Sequence, residues 1–321
     1  MTRDRYLAFD YLRFVSIIGV VIIHVTAPFM VDLIKAGKMS SPDFGWLVVL
    51  NQGARYCVPA FFLAAGFFTS HGRSTYFSKP GEAKAYIVKR FIRLLLPYAT
   101  WSLIFYILPA IISGKLSIFS TTKAIILGST IEGGYFIIVL AQLTILGPML
   151  LNRIKDRHYL YGFLIILSLA ISELYFLIAG YGQWPLSRWA RAGLSYFMST
   201  FLPWFAFYVS GLLLGIRYDS GLKKIKINRS LLLAGLFVFW GLSMVEFYKT
   251  YEMSQSLSLA ASFLKPSSIA YAYLVCAMVL TKPKFEFEKA WRGIASGSYG
   301  IYLIHGGILP VLFSIGLIRH T

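Results

Sequence analysis

The sequence has few charged residues for its length. Only 14% of its 321 residues are Asp, Glu, Lys or Arg, whereas a soluble domain carries roughly 25%. In contrast, 57% are hydrophobic, and the mean hydropathy is +0.67. A soluble fold this apolar would have too little polar surface to cover itself, so the composition argues against a soluble domain and predicts a membrane protein.

Cysteine and acidic residues are also scarce. Cys57 and Cys276 lie inside apolar runs and form neither a disulfide framework nor a metal-ligand spacing. We therefore expect no metal and no bound cofactor. The 31 basic residues outnumber the 13 acidic ones, but they are spread over five loops. This distribution favours membrane lipid as a partner and argues against nucleic acid.

The apolar runs predict an all-α, polytopic transmembrane helical bundle of about 9–10 helices, since each run approaches the roughly 20 residues that cross a bilayer. Nine helices are expected, at Leu12–Val31, Gly45–Thr69, Tyr86–Ile112, Gly134–Leu151, Tyr159–Gly180, Leu194–Ile216, Ser230–Tyr248, Phe263–Leu280 and Ser296–Leu317. Lys123–Thr130 is too short to span and is expected to be a loop or an interfacial piece. Residues 1–321 are treated as a single transmembrane domain.

Loop charge predicts the orientation. With the N-terminus in the cytoplasm, about two thirds of the Lys and Arg residues fall in cytoplasmic segments, as the positive-inside rule requires. The N-terminus is therefore expected to be cytoplasmic.

A histidine and an arginine share one face of the first helix. Arg13 and His24 are eleven residues apart, or three turns plus about 20°. Asp10 precedes Arg13 by three residues and can pair with it. An ionisable side chain within a span is costly, so His24 is a candidate functional residue. The alternative is a histidine that only packs between helices.

Arg55 is predicted to lie near the middle of the second helix. It needs an acidic partner, a water-filled cavity or a bound anion. Glu173 and Glu246, also within spans, are candidate partners for Arg55 or His24, or candidate proton carriers. The sequence does not choose between these roles.

Two further groups are candidates for the site. Arg90 and Arg93 lie one turn apart where the third helix begins, and guanidinium groups grip phosphate in a bidentate fork. The alternative for this pair is ordinary anchoring at the membrane surface. Ser298, Tyr302 and His305 form a polar stripe on an apolar helix, and this stripe is equally compatible with hydrogen-bonded packing.

From the residues alone, two functions fit. A neutral imidazole can act as a general base on a sugar hydroxyl, with a phosphate-bearing acyl donor held by arginines. The same residues fit a proton-coupled transporter or flippase for a glycan or lipid, with His24, Glu173 and Glu246 as the relay. A structural or receptor-like protein leaves the intramembrane His and Arg unexplained.

The chain resembles the membrane-bound acyltransferase-3 family, bacterial enzymes that O-acetylate glycans. The resemblance covers nearly the whole chain, in four patches that occur in the family's order: Arg13 followed by ten residues and His24; Asn51 to Phe67, which includes Arg55 and Pro59; Arg90-x-x-Arg93 with Pro97; and Ser298 to His305.

The resemblance implies specific roles. His24 would be the catalytic residue, supported by Arg13. Arg90 and Arg93 would engage a cytoplasmic acyl-CoA donor, and acetyl-CoA is the donor that the resemblance suggests. The acceptor would be a sugar hydroxyl of an exported or lipid-linked glycan. The sequence departs from the family pattern where His-Leu-Trp-Phe is replaced by Gly133-Gly134-Tyr135-Phe136, which affects acceptor handling. The family usually has ten helices, one more than the nine expected here.

Overall fold

The computed structural model describes residues 7–71, 77, 81–154, 157–180, 196–217, 228–281 and 288–314. The described part is 86% helical and contains no strand, which confirms the all-α prediction. Its helices are α1 Leu7–Lys35, α2 Pro42–Gly53, α3 Cys57–Ser70, α4 Glu82–Ser102, α5 Leu108–Ile112, α6 Ile118–Leu127, α7 Tyr135–Ile154, α8 His158–Gly180, α9 Phe205–Arg217, α10 Arg229–Ser254, α11 Leu257–Ala260, α12 Pro266–Leu280 and α13 Glu288–Ser314.

Six helical stretches within the described residues are long and apolar enough to cross a membrane. They are Leu7–Lys35, Pro42–Ser70, Glu82–Ile112, Tyr135–Arg153, His158–Ala179 and Arg229–Ser254. The third is continuous because a π-helical segment, Leu103–Ile107, joins α4 to α5. The chain is therefore a multi-pass membrane protein, as its composition predicts.

The second predicted span is broken in its middle. α2 ends at Gly53 and α3 begins at Cys57, with a turn between them. The break frees backbone carbonyls within the bundle, and the Tyr271 hydroxyl donates to one of them, Gly53 O, at 3.0 Å. Such a break is tolerated where neighbouring side chains satisfy the freed groups.

Three other segments differ from their predicted form. Two 3-10 turns, Phe197–Ser199 and Leu202–Trp204, precede α9, where one continuous span was expected. α12 begins at Pro266, three residues late, because proline is favoured in a first turn. Of Lys123–Thr130, predicted to be a loop or an interfacial piece, the part up to Leu127 belongs to a ten-residue helix, Ile118–Leu127, capped by the Ser117 side chain and too short to span.

Several predicted features lie outside the described residues. These are the start of the sixth span at Leu194, the end of the ninth at Leu317, and the basic loop runs at 218–227 and 282–287.

α1 lies at the centre of the bundle and determines where the candidate site forms. It packs against α2, α3, α12 and α13. α3 also packs closely on α9, where a Cβ at Gly66 would lie 2.0 Å from the Tyr208 carbonyl oxygen. α1 therefore contacts four helices, and Ser16 and Thr26 on it are buried against protein.

Candidate functional site

The face of α1 that carries Arg13 and His24 packs on the polar stripe of α13. Arg13 Nη2 donates to Ser298 Oγ at 3.0 Å, and Arg13 Nη1 lies 3.6 Å from Asp10 Oδ1. Three turns further along, the rings of His24 and His305 lie side by side, with centroids 4.9 Å apart. The two patterns found in the sequence therefore face each other across one helix contact.

His24 has an acidic partner. Its Nδ1 lies 3.4 Å from Oε1 of Glu132, in the loop between α6 and α7. The hydrogen bond from His24 lowers the pKa of the Glu132 carboxyl, against the opposing effect of its partial burial. The carboxylate can thus hold the proton on Nδ1 and leave Nε2 as the basic nitrogen.

Two glycines allow this loop to approach α13 and α1. Glu132 N donates to Gly306 O at 3.4 Å, and a Cβ at Gly306 would lie 2.5 Å from Glu132 O. Gly133 has a φ of +74°, and a Cβ there would lie 2.8 Å from Tyr302 Oη and 3.6 Å from His24 Nε2. Larger residues at either position would push the loop off His24.

Glu132 was not among the residues predicted from the sequence. A lone carboxylate before two glycines, at the start of an apolar helix, is a usable signal, since an acid in such surroundings needs a partner. The partner itself could not be predicted, because it lies more than a hundred residues away on α1.

A large cavity opens on the Arg13 side of the site. Its volume is about 700 Å³, and four arginines line it together with one acid: Arg13, Arg90, Arg93, Arg292 and Asp10. The remaining wall is largely apolar and aromatic. The predicted Arg90–Arg93 pair thus shares one cavity with Arg13, and Arg292, which the sequence analysis did not single out, adds a fourth guanidinium. The arrangement fits an anionic group on an apolar or extended body.

A second cavity, of about 600 Å³, contains the histidine. His24, Glu132 and Arg55 line it, with Gly133 and Phe263. Tyr302 lines both cavities, and its hydroxyl donates to Gly133 O at 2.6 Å. The Tyr302–Gly133 contact therefore stands between the arginine cavity and the histidine cavity.

Arg55 is buried and lines the same cavity as His24, and no acidic side chain among the described residues forms an ion pair with it. Its Nε and Nη2 both donate to Asn51 Oδ1, with the first contact at 3.1 Å, and its guanidinium carbon lies 4.7 Å from the centroid of the Phe263 ring. Asn51 Nδ2 donates to Thr26 Oγ1 on α1 at 2.8 Å. The guanidinium is therefore fixed by an amide and an aromatic face.

A buried lysine extends this network. Lys265 Nζ donates to Gln52 Oε1 at 2.6 Å and to Ser243 O at 2.8 Å. Gln52 Nε2 in turn donates to Asn51 Oδ1 at 3.4 Å. α10 and α12 are thereby connected to the amide that holds Arg55.

The two glutamates proposed as partners lie elsewhere. Glu246 accepts hydrogen bonds from Ser267 N, at 3.3 Å, and from Ser267 Oγ. Glu173 is half-buried on α8. Within the described residues neither forms an ion pair with Arg55 or His24, and neither lines the two cavities. Of the alternatives that the sequence left open, the pairing of these acids with Arg55 or His24 is not seen in this part of the chain, where Asn51 and Glu132 make those contacts. Their role as proton carriers stays a prediction.

Removing the Asn51 amide is expected to destabilise the fold by leaving the Arg55 cation without its acceptor. We expect Asn51→Ala to lower the free energy of unfolding by about 2 kcal/mol, and Asn51→Ala with Arg55→Met to recover most of that loss. Thermal unfolding of the purified protein in detergent measures this, with exposed Asn152→Ala on α7 as the control. Simply additive effects of the two substitutions would contradict it.

Comparison with known proteins supports one family. The family model described as "Acyltransferase domain", that of the acyltransferase-3 family, matches residues 6–320. No curated protein and no solved structure matches the chain. Because the match covers nearly the whole sequence, the chain belongs to this family of membrane acyltransferases.

Proposed function

We propose that the protein is an O-acyltransferase that moves an acyl group, acetyl by preference, from a cytoplasmic acyl-CoA to a sugar hydroxyl of an exported or lipid-linked glycan. One observation carries the proposal: an arginine-lined cavity and a cavity holding a His–Glu pair adjoin at Tyr302. The first suits an anionic donor, and the second suits activation of a hydroxyl.

The distance between the two groups constrains the donor. Arg13 and His24 are eleven residues apart on α1, or roughly 16 Å at about 1.5 Å per residue. A donor whose anionic head lies at the arginines can reach His24 only through a long, narrow arm. Acyl-CoA has this shape, with phosphates at one end and the thioester at the other, whereas a small acyl phosphate does not.

His24 can act in two ways, and the geometry suits both. As a general base, Nε2 takes the proton of the sugar hydroxyl while the sugar oxygen attacks the thioester carbonyl. The proton then passes from the imidazole to the departing thiolate. As a nucleophile, Nε2 takes the acyl group with release of thiolate; the sugar hydroxyl then attacks the acyl carbon, the imidazole leaves as the neutral ring, and the hydroxyl proton passes to the thiolate. In either case Glu132 orients the ring and stabilises the cationic imidazole.

Arg55 is proposed to stabilise the negative charge that develops on the carbonyl oxygen. It lines the same cavity as His24, and its guanidinium is held in place before reaction, which is the condition for electrostatic stabilisation. Full turnover by Arg55→Lys in a correctly folded protein would rule out this role.

We further propose that the N-terminus is cytoplasmic, in the bacterial inner membrane. This orientation places the arginine cavity, at the N-terminal end of α1, on the side where acyl-CoA is made. The histidine cavity then lies toward the opposite side, where an exported or lipid-linked glycan would be modified.

A proton-coupled transporter is the second candidate. It would use His24, Glu173 and Glu246 as a chain of proton carriers. The observed contacts do not favour this proton relay, since His24 pairs with Glu132 and Glu246 bonds to Ser267. A transporter also has no need of four arginines in one cavity.

The central experiment is acyl transfer by protein in nanodiscs supplied with radiolabelled acetyl-CoA and a glycan extract. Wild type is expected to release CoA and label the glycan. His24→Ala should lower kcat by at least about a hundredfold through loss of the proton acceptor, and Arg90→Gln should mainly raise KM for the donor. His158→Ala and Arg153→Gln are matched controls, since neither residue lines the two cavities. Wild type that neither binds donor nor releases CoA would refute the proposal and favour transport.

Glu132 is expected to act through His24 without touching the donor. Glu132→Gln keeps the shape of the side chain but removes the charge that holds the proton on Nδ1. We expect kcat to fall about a hundredfold or more, with KM for acetyl-CoA unchanged, and Glu132→Asp to retain part of the activity.

The control for this prediction is Glu252→Gln, an exposed carboxylate on α10. A change confined to KM, or equal losses in Glu132→Gln and Glu252→Gln, would show that Glu132 does not orient the histidine.

A further inference from the structure

The arginine pair also borders a third, smaller cavity, and Arg13 is not among the residues that line it. It has a volume of about 290 Å³ and is lined by Tyr86, Lys89, Arg90, Arg93, Leu94 and Tyr299. Arg90, Arg93, Leu94 and Tyr299 also line the 700 Å³ cavity. The two arginines therefore form a wall shared by both, and a ligand gripped there can extend in two directions.

Aromatic side chains wall this side cavity, and both are held in place. The Tyr299 hydroxyl donates to Leu94 O at 2.5 Å. The Tyr86 hydroxyl is within 3.0 Å of Thr69 Oγ1, and the Arg90 guanidinium carbon lies 5.8 Å from the centroid of the Tyr86 ring. A planar, uncharged group fits between such rings better than a flexible chain does.

The side cavity also carries its own cation. Lys89 lines it but does not line the larger cavity, and the described side chains that line it include no acid. A phosphate monoester carries about −1.5 to −2 charges at pH 7 and accepts several charge-assisted hydrogen bonds. Lys89, with the flanks of Arg90 and Arg93, provides the donors for such a group.

We infer that the side cavity is the subsite for the nucleotide end of the donor, and that Lys89 recognises the phosphate on its ribose. This inference rests on the proposed function. If the acyl arm runs through the larger cavity toward His24 and the diphosphate lies at Arg90 and Arg93, the side cavity is the adjoining space that can take the rest of the head. Lys89 is then a specificity-determining residue, which distinguishes donors that carry the ribose phosphate from those that lack it.

The test compares acetyl-CoA with acetyl-dephospho-CoA, which lacks the ribose phosphate, as donors for wild type, Lys89→Gln and Lys84→Gln. Lys84 lies on the same helix and bears the same charge but is outside both cavities. We expect wild type and Lys84→Gln to prefer acetyl-CoA about tenfold in kcat/KM, as one charge-assisted contact predicts. Lys89→Gln should lose most of this preference, through a higher KM for acetyl-CoA and an unchanged KM for acetyl-dephospho-CoA.

The outcomes separate this inference from the proposed function. Equal use of both donors by wild type would refute the phosphate subsite and leave acyl transfer intact, whereas no turnover of either donor would refute acyl transfer itself. A lipid headgroup could supply the same phosphate chemistry. If Lys89→Gln slowed both donors alike, and only in nanodiscs containing anionic lipid, the cavity would be a lipid site and the inference would be overturned.

Discussion

The burial of Arg55 is the constraint on which the site depends. A guanidinium inside a membrane bundle must be supplied with acceptors, and Asn51, about one helical turn before Arg55, supplies one. The same amide bonds to Thr26, two residues after His24 on α1, and through Gln52 it connects to Lys265. The position of α1 and that of the buried cation are therefore set by one network.

The second requirement is that a loop reach into the bundle to meet His24. Close approach is possible because Gly306 on α13 and Gly133 in the loop leave no side chain at the two points of contact. The result is a carboxylate 3.4 Å from Nδ1 and a loop that also packs close to Nε2. Chemistry and packing are thus linked in the proposed mechanism, since the contact that joins the loop to α13 also brings Glu132 to His24.

The features that could be predicted from the sequence are those that depend on local pattern. The composition predicts the membrane, the apolar runs predict the long helices, and the spacing of Arg13 and His24 places both on the face that meets Ser298 and His305. The break at Ala54 to Tyr56 could not be predicted, because it depends on Tyr271 and Asn51 satisfying freed groups. Glu132 was missed for the same reason: its partner is determined by tertiary packing.

Tyr302 lies between the arginine cavity and the histidine cavity and keeps them from merging into one pore. An enzyme that accepts a donor on one side of a membrane and an acceptor on the other must pass an acyl group while blocking ions and water. Tyr302 is buried, its ring packs 4.9 Å from Phe136, and its hydroxyl closes on Gly133 O. Tyr302 lines both cavities, and a Cβ at Gly133, on which its hydroxyl closes, would lie 3.6 Å from His24 Nε2. In the proposed reaction the acyl arm has to pass this ring to bring its carbonyl to the histidine, so one contact would both limit leakage and favour a slender donor.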